Sequence, residues 1–143
     1  MKNSISIILL LCFTILCFSS CSFKNKPKDL SDTVSITVTC MVSRNGMITD
    51  ESIDVEITDT ETVDYICNFF SSLTLRKSET GKPLFASHQI YFKNADGETI
   101  SSIILLAGLK QIQWGDLHTI TSDHDLHALK ERLNALAGIE EVW

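Results

Sequence analysis

Hydrophobic and polar positions divide the chain into three stretches. Ile5 to Phe18 form an apolar run broken only by Ser6 and Thr14, residues 22–33 are polar and aperiodic, and from Val34 onward regular periods appear. Val34, Ile36, Val38, Cys40 and Val42 alternate with Ser35, Thr37, Thr39, Met41 and Ser43, the period of a half-buried strand. Asn45-Gly46 follows, a pair that tolerates positive φ at both positions and so predicts a two-residue hairpin. That turn sets Arg44 opposite Met47 and predicts the pairs Val38–Ile53, Ile36–Val55 and Val34–Ile57. A one-residue slip would oppose each to a polar residue. Asp54 and Glu56 then fall on the outer face, opposite Thr37 and Ser35.

The period changes after Ile57. Thr58 with Glu61 reads as a capping box. Val63, Ile66, Cys67 and Phe70 mark the buried face of a helix ending near Ser72. Leu73 and Leu75 suit a short third strand. Residues 76–87 read as a long loop, a feature often tied to function in small domains. His88, Ile90 and Phe92 alternate into Asn94-Ala95-Asp96-Gly97, a hairpin turn with Gly97 left-handed, which places Phe92 near Ile100 and Ile90 near Ser102. Ile103 to Leu106 are apolar on both faces and predict a central strand. Gly108 permits a turn. Gly115-Asp116 then joins Gln111–Trp114 to Leu117–Ile120 as a hairpin. Ser122 is the expected cap of a last helix, with Leu126, Leu129, Leu133 and Leu136 on one face, Gly138 as its stop and Ile139 completing a Schellman contact. The predicted class is α+β: an antiparallel β-sheet of about five to seven strands with two helices packed on one face.

The first stretch is too short for a membrane span, which needs about 20 residues. With Lys2 ahead of it and small residues behind, it has the anatomy of a signal peptide. Ser19-Ser20-Cys21 resembles the cleavage region of bacterial lipoprotein precursors, with Phe18 standing where that family prefers leucine. The resemblance covers about the first 22 residues. It implies cleavage before Cys21 and a diacylglyceryl group on the Cys21 thiol, hence a protein lipid-anchored on the extracytoplasmic face of the cell membrane. Lys24, Lys26 and Lys28 would add attraction to anionic headgroups, or serve only as a soluble linker. The expected organisation is a signal peptide over 1–20, a lipidated tether over 21–33 and one α+β domain over 34–143.

Charge narrows the partners. The 143 residues carry a formal −6, and from Val34 onward 8 basic face 16 acidic residues. A domain this acidic has no electrostatic footprint for nucleic acid. The implied partners are the membrane, through the lipid on Cys21, and an envelope protein or small ligand.

Candidate chemistry is sparse. Cys40 and Cys67 fall on core faces of the first strand and first helix. An extracytoplasmic location permits a disulfide between them, and two buried free thiols acting as small apolar residues are the plainer explanation. Their spacing is not a zinc signature. His124 and His127 lie three apart, but the leucine stripe turns them from the core and no third ligand is evident, so no metal is assigned. No cofactor motif, phosphate loop or nucleophile elbow occurs. Leu84, Phe85, Tyr91 and Trp114 are candidate contact residues, against a plainer role in packing. The expected function is a non-catalytic binding or interaction domain on a membrane tether. Alternatives are an immunity or inhibitor lipoprotein with an acidic blocking face, and a cell-envelope hydrolase.

Overall fold

The computed structural model describes residues 29–44, 47–78, 85–107 and 110–139. Cys21, the turn residues Asn45 and Gly46, Leu84 and Gly108 lie outside them. Seven strands and two helices follow one another as β1 (Ser35–Arg44), β2 (Met47–Ile57), α1 (Thr60–Ser71), β3 (Leu75–Lys77), β4 (Ala86–Lys93), β5 (Thr99–Leu106), β6 (Gln111–Trp114), β7 (Asp116–Ile120) and α2 (Leu126–Leu136). The strands form one sheet in the order β2-β1-β4-β5-β6-β7-β3, and every pair is antiparallel. The fold class is α+β, as the alternating and helical periods predict. β5, apolar on both faces, is the central strand.

The faces of the first hairpin match the expectation, but its register does not. Arg44 does oppose Met47, yet beyond an irregularity at Met41/Ser43 the partners are Ile36–Ile57, Val38–Val55 and Cys40–Ile53. The shift is two residues, which preserves the face of every side chain and so escapes a parity argument. Its cause is local. The Thr49 hydroxyl donates to the Val42 carbonyl at 3.0 Å and accepts from the Glu51 amide at 3.2 Å, holding a bulge in β2.

The β4–β5 hairpin is also displaced. Gly97 is left-handed at φ +79°, as the turn requires. However, Phe92 opposes Ser101 and Ile90 opposes Ile103, because a further irregularity follows Lys93–Thr99. That shift turns Ser101 inward together with Ile103 and Leu105. In the third hairpin Gly115, at φ +69°, stands alone between Trp114 and Asp116, which oppose each other. Ile112 therefore faces His118.

Both helices use a different cap from the one their sequences suggest. Asp59, not Thr58, caps α1 by accepting from the Thr62 amide at 2.9 Å. Asp125, not Ser122, caps α2 by accepting from the Ala128 amide at 3.0 Å. A carboxylate also gains from the positive end of the helix dipole. At the other end of α2, Gly138 (φ +70°) donates to Ala135 and Ile139 to Asn134, the predicted Schellman pattern.

One core lies between the sheet and the helices. Phe70 of α1 packs edge-on against Phe92 and Trp114, with ring centroids at 5.9 and 6.3 Å. Leu126, Leu129 and Leu133 of α2 complete the core, whereas Leu136 is 45% exposed and leaves the expected stripe. Leu30, only 3% exposed, joins this core ahead of β1. The Leu30 carbonyl accepts from the Thr33 amide, closing a turn that leads into β1.

Candidate functional site

The two helices cover one face of the sheet, and no described helix covers the other. Register defines what that outer face presents. One row crosses six strands as Asp54–Thr39–Gln89–Ile104–Gln113–Leu117. A second runs Glu56–Thr37–Tyr91–Ser102. Thr39, Gln89, Ile104, Gln113 and Leu117 are half-buried, as side chains flanked by neighbours on an open sheet must be. The Tyr91 hydroxyl donates to Gln89 Oε1 at 2.7 Å, and the Thr39 hydroxyl to Asp54 at 2.6 Å. The face thus mixes amides and hydroxyls with the apolar Ile104 and Leu117, and bears carboxylates at its β2 margin.

The candidate contact residues part company. Tyr91 lies on the outer face. Phe85, 73% exposed, stands just ahead of β4. Trp114 is instead a core residue, 7% exposed, with its indole N–H donating to Ser101 Oγ at 2.9 Å. The one-residue displacement in β5 brings that hydroxyl inward, and a buried indole needs such a partner. The structure does not bring Phe85, Tyr91 and Trp114 together.

The covered face carries a polar group that periodicity only partly reveals. His88 is fully buried beneath α2. Its Nε2 lies 2.7 Å from Asn134 Oδ1, and its Nδ1 3.0 Å from the Ser87 hydroxyl. Burial pushes the imidazole down to about 4, and the nearby Lys130 ammonium acts in the same direction. Lys130, 3% exposed, donates to the Leu106 carbonyl at 2.6 Å, and burial lowers its pKa as well. Asn134 and Lys130 escaped the sequence reading, although each follows a stripe residue, Leu133 or Leu129, and they lie four apart on one face. His118 is buried on β7, its Nδ1 without a hydrogen-bond partner among the described residues.

Cys40 and Cys67 are free thiols. Cys40 sits under α2, its sulfur 3.9 Å from the Leu133 carbonyl, and burial pushes its pKa up to about 11. Burial also raises Cys67, with the Thr33 hydroxyl partly offsetting it. A thiol held protonated is a poor nucleophile and metal ligand.

His124 occupies a joint rather than a metal centre. The Ser72 hydroxyl donates to the Phe69 carbonyl, so it accepts from His124 Nε2 at 2.8 Å. Nδ1 then accepts from the Ser122 hydroxyl at 2.8 Å, and Ser122 Oγ accepts from the Thr74 amide. The neutral ring is thereby the Nε2–H tautomer. This chain ties the end of α1 to the approach of α2, and Phe69 packs edge-on against the imidazole at 5.4 Å. His127 instead lies 3.4 Å from Glu131. No three His, Cys, Asp or Glu among the described residues are grouped to hold a metal. No protein family, no curated protein and no solved structure matches the chain.

Proposed function

We propose that the chain is a lipid-anchored extracytoplasmic bacterial lipoprotein whose domain is a non-catalytic binding module. The observation that carries the binding role is the uncovered outer face, where Thr39, Gln89 and Gln113 share one cross-strand row and Tyr91 stands in the row beside it. Amides and hydroxyls on such a face can exchange their water for direct hydrogen bonds with a docked surface. Among the described residues, Cys40, His88 and His118 are buried in the core and do not face solvent. Ser19-Ser20-Cys21 supports the anchor, and no described helix is long and apolar enough to cross a membrane.

Two measurements test the two halves. Cys21→Ala releases the chain from membranes into the soluble fraction, and its retention there refutes the anchor. A photo-reactive residue at Gln113 or Tyr91, activated in intact cells, yields a discrete adduct absent when the same residue replaces exposed Asp64 on α1. Equal or absent labelling at all three positions refutes the outer face as the binding surface.

A further inference from the structure

We infer that the free edge of β2 pairs with an extended segment of a partner protein in which basic and apolar residues alternate. The inference rests on the reading of the domain as a binding module and names what its margin accepts. β2 ends the sheet, so β1 pairs one of its edges and no described strand pairs the other. Its backbone groups on that side are a template for one more strand. At 11 residues β2 is the longest strand, and beyond its bulge Ser52 to Ile57 pair regularly with β1. The opposite edge, β3, spans three residues and offers no comparable length.

The side chains of β2 specify the occupant. Ile53 and Val55 point to the helix side, yet Ile53 is 38% exposed and Val55 half-buried, because α1 and α2 pack over the strands further in. An added strand would extend the core over them with apolar residues. Asp54 and Glu56 point to the outer face, and no described Lys, Arg or His forms an ion pair with either. An added strand places its alternate residues beside those carboxylates, where lysine or arginine is favoured and acid is not. The two demands fall on opposite faces of one strand, and period two meets both.

Charged edges commonly protect against aggregation, and here they do so selectively. β2 holds Asp50, Glu51, Asp54 and Glu56 and no basic residue. A second copy would therefore set acid against acid. A basic strand meets no such barrier, so the feature that refuses self-association admits this partner.

The test uses the purified full-length chain and labelled eight-residue peptides, with binding followed by fluorescence anisotropy. One peptide alternates lysine and valine; its isomer places four lysines before four valines; a third alternates glutamate and valine. The alternating lysine peptide is expected to bind at least tenfold more tightly than either. Asp54→Lys with Glu56→Lys should abolish that preference while leaving the melting temperature unchanged. Equal binding of the block isomer reduces the effect to bulk charge and overturns the proposal, as does undiminished binding by the double variant. A dimer that the double variant dissolves would make a second copy the occupant. Stronger binding after Lys24, Lys26 and Lys28 are changed to Glu would assign the edge to the chain's own tether. Either result also overturns the proposal. Failure here alongside a specific adduct at Gln113 or Tyr91 leaves the binding module standing and removes only the edge.

Discussion

His88 gives the fold an acid limit that can be calculated. The imidazole has no exposure, hydrogen-bonds Asn134 and Ser87, and shares its surroundings with the Lys130 ammonium. Its pKa falls from 6.5 to about 4 on folding. Above pH 6.5 the ring is neutral in both states and folding pays nothing for it. Between 6.5 and about 4 the unfolded chain binds a proton that the folded chain refuses, so stability drops as pH falls. Each unit of pKa difference corresponds to about 1.4 kcal/mol, which gives a total loss of roughly 3 kcal/mol. Domains of this size are stable by only about 5–15 kcal/mol, so the loss is a large share. Urea unfolding followed by circular dichroism from pH 7.5 to 4 measures it. His88→Gln removes the titrating group, and its profile should be flatter than the native one by about that amount, whatever its stability at pH 7.5. Asp29, Asp59 and Asp116, lowered chiefly by hydrogen bonds, lose their contributions as pH falls through the carboxylate range in both proteins, and they cancel in the comparison. Parallel profiles would refute the reasoning.

Three further outcomes follow from the core and the helix ends. Phe70→Ala removes the ring shared by Phe92 and Trp114 and should cost about 3–5 kcal/mol in chemical unfolding; a loss under 1 kcal/mol would contradict that packing. Asp59→Ala and Asp125→Ala each remove a cap and should lower the urea midpoint by the equivalent of about 1 kcal/mol, whereas Thr58→Ala tests a position that does not cap, and a larger loss there would reverse the assignment at α1. Alkylation of the folded chain at pH 8, mapped by mass spectrometry, should modify half-buried Cys67 before Cys40, whose thiol is buried and held near 11; the reverse order would refute their placement.

Alternation made the faces of β1, β2 and β4 legible because a pleated strand cannot turn one residue without turning its neighbours. Register was less legible, since each hairpin adjusts beside its turn. Thr49 supplies a hydroxyl to Val42 and shifts β2 by two residues without changing any face. In β5 both residue parities are apolar from Ile103 to Leu106, so the sequence alone does not say which set points inward. The inward set is Ser101, Ile103 and Leu105, and only then does Trp114 find its hydroxyl. The outer face has the same dependence. Thr39, Gln89 and Gln113 are ordinary strand residues until the register aligns them.

The two faces of the sheet therefore differ in what a substitution does to the fold. On the covered side, α1 closes over aromatic rings and α2 over a polar group whose members satisfy one another or the backbone. Substitutions there act through stability, because a buried partner left alone costs about 1–3 kcal/mol. On the outer side, Glu56 and Ser102 are exposed, and exchanges of such residues usually shift stability by less than about 0.5 kcal/mol, whereas Tyr91 and Gln113 are half-buried. On the proposed reading, outer-face and β2-margin variants lose binding with little change in melting temperature. A variant that loses both points to the core. This separation lets the proposed binding be tested by substitution apart from folding.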